Sequence, residues 1–126
     1  VDIKHMNPAA HRAETGVGNE LILQNIAALA SAGWGGRLIV RVPIIPDYND
    51  AAENLRATAG FVRELSLKEV NLLPFHRLGT GKYEQLGLDY GRYAHLAPPS
   101  RGTLRSHQQI FLAAGLACYV GSETPF

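Results

Sequence analysis

Hydrophobic residues recur along this chain with two alternating periods, one typical of helices and the other of strands. Residues 19–32 carry apolar side chains at the spacing of one helical face, at Ile22, Ile26 and Leu29. Residues 38–42 are a short run rich in β-branched side chains, which predicts a strand buried on both faces. We expect Pro43 to end this strand, because proline has no N–H group to donate to a sheet.

The alternation continues to the end of the chain. Asp50, followed by Glu53, has the residue type that caps a helix, and apolar positions follow at Leu55, Ala59 and Val62. A strand is predicted at residues 69–73, and then a long loop with a short helix near residues 82–86. Ser100 is expected to cap a last helix before a strand at 117–120, and its apolar face consists of Leu104, His107, Phe111 and Ala114.

Strands and helices that alternate at this spacing predict an α/β fold with a mainly parallel sheet. Residues 1–4 resemble one further strand, so we expect about four strands with flanking helices. Such a set forms either an open sheet or an arc of a barrel. A complete eight-fold barrel needs about 250 residues and is therefore excluded.

Composition narrows the class of protein. With 46% hydrophobic residues, 18% charged residues and a net charge of +1, the chain has the composition of a globular domain. Its basic residues are spread along the chain, which argues against nucleic-acid binding, and no apolar run is long enough to predict a membrane span. The single cysteine, Cys118, is typical of a reducing cytoplasm and of a small buried side chain.

Candidate chemistry gathers where the predicted strands end, because ligands of α/β folds bind at the carboxyl ends of the strands. Asp2 and Lys4 belong to the first strand, Arg41 to the second, and His76 follows the third. Asp2 and Lys4 alternate, so they either contribute to a site or simply pair or face solvent. Arg41 lies within an apolar run, where a buried charge needs a partner. Of the other histidines, His11 lies in a surface-like segment.

Four separated motifs give this chain a specific resemblance. Residues 2–7 (DIKHMN), His11 and residues 15–17 (TGV) resemble a stretch of the activating enzymes of glycyl radical enzymes. The other three motifs are residues 19–25 (NELILQN), residues 41–46 (RVPIIP) with Asn49 and Asp50, and residues 72–79 (LLPFHRLG) with Lys82 and Tyr83. The likeness extends from residue 2 to about residue 120, and the four motifs occur in the family's order.

The resemblance implies an activity. Members of this family are radical S-adenosylmethionine (SAM) enzymes with a partial (βα) barrel, whose 4Fe-4S cluster is held by a CxxxCxxC motif. The reduced cluster cleaves SAM, and the resulting 5′-deoxyadenosyl radical takes a hydrogen atom from a glycine of the partner glycyl radical enzyme. A flavodoxin or ferredoxin is the implied electron donor.

The same resemblance implies site residues. It maps SAM binding onto Asp2, Ile3, Lys4 and His76, and it places Arg41 at the border of the same cavity. Lys4 is then the cationic partner of SAM, Asp2 an acceptor or a ligand of a cation site, and His76 the partner of the nucleoside end. These side-chain types suit the carboxylate, ammonium and hydroxyl groups of SAM.

The departures from the family pattern are informative too. The chain has no CxxxCxxC motif, Asp47 stands where the family has glycine, and Asn7 stands where many members have Asp. We therefore expect residues 1–126 to be the C-terminal portion of a radical SAM core domain without its cluster-binding half. Such a portion is predicted to be inactive alone and to self-associate through an exposed sheet edge. Two alternatives stay open: a non-catalytic interaction module of the same fold, and a small α/β enzyme that uses Lys4 and His76 for acid–base chemistry.

Overall fold

A computed structural model describes residues 1–76, 85–87 and 91–125 of the chain. The helices and strands, in chain order, are α1 (Pro8–Thr15), α2 (Glu20–Ser31), β1 (Val40–Ile44), α3 (Ala52–Glu64), β2 (Glu69–Pro74), a short 3₁₀ helix (Gly91–His95), α4 (Arg101–Ala113) and β3 (Ala117–Val120). Most of the predicted short helix at residues 82–86 lies outside the described residues. No helix in the described part of the chain has both the length and the apolar character needed to cross a membrane.

The strands form one parallel sheet in the order β1-β2-β3, which confirms the predicted α/β class. The prediction of a fourth strand at residues 1–4 is wrong in part, because this segment makes only an isolated parallel bridge between Asp2 and Arg41. Its pairing stops after Ile3, whose N–H donates to the carbonyl of Arg41 at 2.9 Å. The next carbonyl, that of Lys4, accepts a hydrogen bond from the side chain of Asn49 instead.

One face of the sheet is packed against helices, and the other, here called the open face, is only partly covered: Arg41 is exposed there, whereas Asn71 is buried. Side chains that alternate along the strands point into the packed face, where they meet buried residues of α3 and α4: Val40, Val42, Ile44, Val70, Leu72, Leu55, Val62 and Phe111. The prediction that β1 is buried on both faces is wrong, because Arg41 points to the other face and is exposed. The open face therefore carries the polar side chains of the sheet.

Proline 43 lies inside β1 instead of ending it, contrary to the sequence-based expectation. The N–H and C=O groups of Arg41 are bonded to the N-terminal segment, whereas the carbonyl of Ile44 accepts from Phe75 next to β2. Because backbone groups of alternate residues point to opposite sides, the missing N–H of Pro43 falls on the side away from β2. No hydrogen bond between β1 and β2 is lost, so the strand continues.

The start of α3 also differs from the expectation. The N-cap residue is Ala51, whose side chain makes no capping hydrogen bond, and not Asp50. A carboxylate oxygen of Asp50 instead accepts from the N–H of Asp47 at 3.1 Å, closing the preceding turn. Asp47 has a positive φ of 61°, a conformation that glycine adopts without strain, and glycine is the residue expected at this position from the family pattern.

Helix α1 was not predicted from the hydrophobic pattern. Asn7 caps it by accepting from the N–H groups of Ala9 and Ala10, and Gly16 ends it in the left-handed conformation. The assignment of His11 to a surface-like segment is wrong, since its side chain is only 2% exposed. Its Nδ1 donates to the carbonyl of Val17 at 2.7 Å, which fixes the loop after the helix.

Helix α4 agrees closely with the prediction. Ser100 caps it by accepting from the N–H of Thr103 at 3.1 Å, and Leu104 and Phe111 are buried on its inner face. His107 is half-buried on the same face, and desolvation lowers the pKa of its imidazole. We infer that this histidine is neutral at pH 7.

Glycine 60 offers a test of helix propensity in α3. It is exposed, its φ is not positive, and an added Cβ would meet no atom within 4 Å. Gly60→Ala is therefore expected to raise the free energy of unfolding by about 0.5–1 kcal/mol, because alanine loses less backbone entropy in a helix. Urea denaturation followed by circular dichroism measures the change, and an unchanged or lowered stability contradicts the expectation.

Candidate functional site at the carboxyl edge of the sheet

The carboxyl ends of the strands border a shallow pocket, here called the rim pocket. It has a volume of about 570 Å³ and is lined by Pro43, Ile45, Leu73, Phe75, His76 and Gly121, among others. Most of these side chains are apolar, and His76 supplies an imidazole at the end of β2. A wall of this kind suits a flat apolar group with one polar edge.

A second pocket, here called the aromatic pocket, adjoins the first. It has a volume of about 350 Å³ and is lined by Lys4, Glu14, Thr15, Ile45, Tyr48, Phe75 and Tyr93. The rings of Phe75 and Tyr93 are tilted at 44° with centroids 6.3 Å apart. The hydroxyl of Tyr93 donates to the carboxylate of Glu14, which connects the 3₁₀ helix to the end of α1.

The two pockets share Ile45 and Phe75, so together they form one continuous surface along the sheet edge. Lys4 lies in the aromatic pocket and His76 in the rim pocket. Two of the expected site residues therefore line adjoining pockets. The combined surface offers an ammonium group, a carboxylate, an imidazole and three aromatic rings.

Asp2 and Arg41 lie one step further from the edge and pair with each other. The Nε of Arg41 donates to a carboxylate oxygen of Asp2 at 2.8 Å, and both side chains are partly exposed. Neither residue lines the two pockets. The sequence predicted that Arg41 lies in a buried strand and needs a partner. In the structure Arg41 is exposed, and its partner is Asp2. An exposed ion pair of this kind contributes little to stability, about 0–1 kcal/mol.

Ile3 is placed differently from its two neighbours. Its side chain is 2% exposed and packs in the core, so it points away from the side that Asp2 and Lys4 share. Its backbone N–H donates a hydrogen bond to the carbonyl of Arg41. The structure thus gives Ile3 the role of anchoring the segment that carries Asp2 and Lys4.

A fully buried asparagine holds the backbone at the point where Lys4 leaves the sheet. The side-chain amide of Asn49 donates to the carbonyl of Lys4 at 2.8 Å and to the carbonyl of Pro43 at 2.6 Å. Its side-chain oxygen accepts from the N–H of Ile45 at 2.8 Å. Asn49 therefore joins the N-terminal segment to the end of β1 and satisfies three backbone groups that pair with no strand.

Two further buried asparagines hold the next residues. Asn54 accepts from the N–H of Met6 at 2.9 Å and donates to the carbonyl of Asn49 at 2.9 Å. Asn19 donates to the carbonyls of His5 and Met6 at 2.9 and 2.7 Å. Together Asn19, Asn49 and Asn54 form what we call the asparagine clamp, which fixes the backbone from Lys4 to Met6.

Within the clamped segment, His5 is held as a neutral imidazole. Its Nδ1 accepts from the N–H of Asn7 at 3.0 Å, which places the ring proton on Nε2. Burial lowers the pKa of His5, and this effect is opposed by a hydrogen bond to the backbone of Tyr48. The ring centroids of His5 and Tyr48 lie 5.3 Å apart, so the imidazole of His5 supports Tyr48 in the wall of the aromatic pocket.

Metal-ligating groups do not gather in the described part of the chain. No cluster there contains three or more His, Cys, Asp or Glu side chains within reach of one ion. Cys118 is buried, and desolvation raises the pKa of its thiol to about 12. Because iron–sulfur clusters are held by several thiolates, the residues of this chain do not fit a cluster.

Comparisons with known proteins show which family this chain resembles. The chain is 49% identical over 126 residues to a 4-hydroxyphenylacetate decarboxylase activating enzyme of Clostridioides difficile (strain 630), covering 100% of this chain and 40% of that enzyme. It is 34% identical over 119 residues to an indoleacetate decarboxylase activating enzyme of Tractidigestivibacter scatoligenes, covering 94% of this chain and 37% of that enzyme. The homologues of this chain are activating enzymes of glycyl radical enzymes.

A solved structure agrees with these relatives, although no family model matches the sequence. A domain of the pyruvate-formate lyase-activating enzyme of Bacteroides vulgatus superimposes with a TM-score of 0.75 at 28% identity, covering 96% of this chain and 65% of that one. The resemblance inferred from the motifs and the predicted fold class are both confirmed. The chain spans 40% of the length of the activating enzyme of C. difficile.

Several residues of the candidate site were not predicted from the sequence. Tyr48 and Phe75 lie inside two of the family-like motifs, at strand ends where a site was expected, so their positions did carry a signal. Glu14 and Tyr93 are 79 residues apart and lie outside the strands, and no local pattern connects them. Asn19 and Asn49 also lie in the family-like motifs, although no structural role was predicted for them, and Asn54 lies in none of the motifs.

Proposed function

We propose that this chain is the SAM-binding portion of a radical SAM enzyme that activates a glycyl radical enzyme. The observation that carries the proposal is the convergence of Lys4 and His76 on adjoining pockets at the carboxyl edge of the sheet, in a chain whose homologues are activating enzymes. Residues 1–126 are then the C-terminal part of a core domain. The iron–sulfur cluster, the electron donor and the partner enzyme are contributed from outside this chain.

The donor set fits SAM. The ammonium group of Lys4 is suited to pair with the carboxylate of SAM, and His76 to hydrogen-bond with its nucleoside end. The rings of Tyr48, Phe75 and Tyr93 offer flat surfaces for stacking. SAM supplies the radical chemistry when a reduced cluster cleaves it; the residues of this chain bind it, orient it and exclude water around it.

Asp2, Ile3 and Arg41 enter the proposal as supporting residues. The ion pair between Asp2 and Arg41 holds the N-terminal segment against β1, next to Lys4. Ile3 anchors the same segment in the core. We propose that Asp2 and Arg41 border the SAM site and orient Lys4.

A chimeric enzyme tests the proposal. This chain replaces the aligned 126 residues of the C. difficile activating enzyme, and radical formation on 4-hydroxyphenylacetate decarboxylase is measured by electron paramagnetic resonance. We expect the chimera to generate the glycyl radical. Lys4→Ala is expected to raise the SAM concentration needed for half-maximal activation about 10- to 100-fold, because a charge-assisted hydrogen bond contributes about 1.5–3 kcal/mol.

The control is Lys68→Ala, which removes an exposed lysine that lines neither pocket. It is expected to leave the SAM dependence unchanged. A well-folded chimera that binds the cluster but forms no radical contradicts the proposal and favours a non-catalytic interaction module. Equal effects of both lysine substitutions contradict the assignment of Lys4.

A further inference from the structure

A cleft that adjoins the rim pocket lies between the ends of β2 and β3 and the first turns of α4, and it is here called the α4 cleft. Its volume is about 410 Å³, and the lining residues that matter are His76, Arg101, Leu104, Arg105, Gln108 and Glu123. It shares His76, Pro74, Gly121 and Ser122 with the rim pocket, so the two are continuous. Its walls, however, carry a different set of charges.

Positive charge dominates the wall that α4 contributes. Arg101 and Arg105 are four residues apart, which places them on the same face of the helix. Glu123 is the one acidic residue among those that line the cleft, so the two guanidinium groups outnumber it. Among the described residues, salt bridges form only between Arg37 and Glu69 and between Arg41 and Asp2.

These two arginines are unfavourable for the helix itself. The first turn of α4 contains no acidic residue, and Arg101 adds a positive charge at the end where the helix dipole is already positive. Like charges four residues apart destabilise a helix by about 0.2–0.5 kcal/mol. Both arginines are electrostatically unfavourable for α4, and both line the same cleft. An anion that binds between them from outside the chain would compensate for this unfavourable charge.

The cleft also has the donors that an oxyanion needs. A guanidinium group offers a planar pair of N–H donors that matches two oxygens of a phosphate or carboxylate. Arg101 lies at the N-terminus of α4, where the first N–H groups of a helix have no partner within it, and Ser100 accepts from that of Thr103. Buried Leu104 and the side chain of Gln108, which donates to the carbonyl of Cys118 at 2.7 Å, form a fixed floor.

We infer that the α4 cleft is an oxyanion-binding site, in which Arg101 and Arg105 hold a phosphate or carboxylate group beside the rim pocket. The inference goes beyond the proposed function and does not depend on it, because Arg101 and Arg105 line only the α4 cleft and anion binding to them needs neither SAM nor a cluster. A ligand anchored there lies next to His76. The site therefore serves a second ligand or an acidic side chain of a partner protein.

Titration of the isotope-labelled chain tests the inference. Inorganic phosphate and acetate are added separately at constant ionic strength, balanced with chloride, and amide shifts are followed by NMR. We expect saturable shifts at residues 100–105 and 121–123 with at least one of the two anions. The double variant Arg101→Gln/Arg105→Gln is expected to weaken binding at least 10-fold.

A matched control removes the same charge elsewhere. Arg56→Gln/Arg63→Gln neutralises two exposed arginines of α3 and is expected to bind the anion as the unmodified chain does. Binding of phosphate alone identifies a phosphate-bearing ligand, and binding of acetate identifies a carboxylate-bearing one. Shifts that never saturate, or an equal loss in both double variants, overturn the inference. Each single variant is measured as well, so that one poorly folded protein does not decide the outcome.

Discussion

Replacing Asn49 with alanine is expected to lower the free energy of unfolding by about 3–5 kcal/mol. The side chain is fully buried and makes three hydrogen bonds, to the carbonyls of Lys4 and Pro43 and from the N–H of Ile45. Removing it leaves those part-buried backbone groups without their partner, and a buried unpaired group costs about 1–3 kcal/mol. Urea denaturation monitored by circular dichroism measures the loss.

Asn25→Ala is the matched control, because Asn25 is an exposed asparagine on α2. It is expected to change the stability by less than about 0.5 kcal/mol. Asn49→Asp keeps the acceptor for Ile45 but turns a carboxylate toward two carbonyl oxygens, which raises the pKa of the introduced carboxyl. Its stability is therefore expected to increase as the pH falls and the carboxyl becomes protonated. A loss of less than about 1 kcal/mol in Asn49→Ala contradicts the importance of the clamp.

The clamp also determines how well Lys4 is positioned. Lys4 is at the end of a segment that makes only one bridge to the sheet, so the sheet alone does not fix its backbone. Asn49 holds the carbonyl of Lys4 to the end of β1, and Asn54 and Asn19 hold the two residues that follow. Fixing a binding residue before its ligand arrives lowers the entropy lost on binding.

The periodic helices were predictable from sequence because each has apolar side chains on one face that reach the core, such as Ile26 of α2 and Phe111 of α4, although Leu29 of α2 is exposed. Helix α2 spans Glu20–Ser31 against a prediction of 19–32, and α4 begins after Ser100 as expected. Helix α1 escaped prediction because its single buried side chain is His11, so no apolar stripe exists to be detected. Its capping residue Asn7 and the proline that follows are a recognisable start signal, but they carry no hydrophobic period.

The strand positions show what a sequence pattern leaves undetermined. Pro43 has no N–H to donate, but only the three-dimensional sheet shows that this N–H position faces away from β2. Similarly, Arg41 in an apolar run suggests a buried charge, whereas the pleat places it on the open face beside Asp2. Side-chain direction along a strand depends on register, which the sequence of one strand does not specify.

At the candidate site, the rule that ligands bind at strand ends pointed to the carboxyl edge of the sheet, and ligand binding there stays a prediction. It brought Lys4 and His76 to one edge, in adjoining pockets. It did not predict the contact between Glu14 and Tyr93, which depends on how α1 and the 3₁₀ helix pack above the sheet. The aromatic character of the site became visible only in three dimensions.

Cys118 is expected to react with iodoacetamide roughly a thousand times more slowly in the folded chain than in the unfolded chain at pH 8. Cys118 of β3 is paired with Val70 of the neighbouring strand β2, and it is 5% exposed. Desolvation raises the pKa of its thiol from 9.0 to about 12, and the thiolate is the reactive form. A shift of this size lowers the thiolate fraction at pH 8 by roughly three orders of magnitude, and burial restricts access further.

Mass spectrometry of alkylated samples with and without urea measures the two rates. The same shift predicts that stability falls as the pH rises from about 9 to 12, because the unfolded chain loses the thiol proton before the folded chain does. Cys118→Ser, whose hydroxyl does not ionise in this range, provides the control and is expected to remove this part of the pH dependence. Rapid alkylation of the folded protein contradicts the burial of Cys118 and, with it, the packing of β3 against α4.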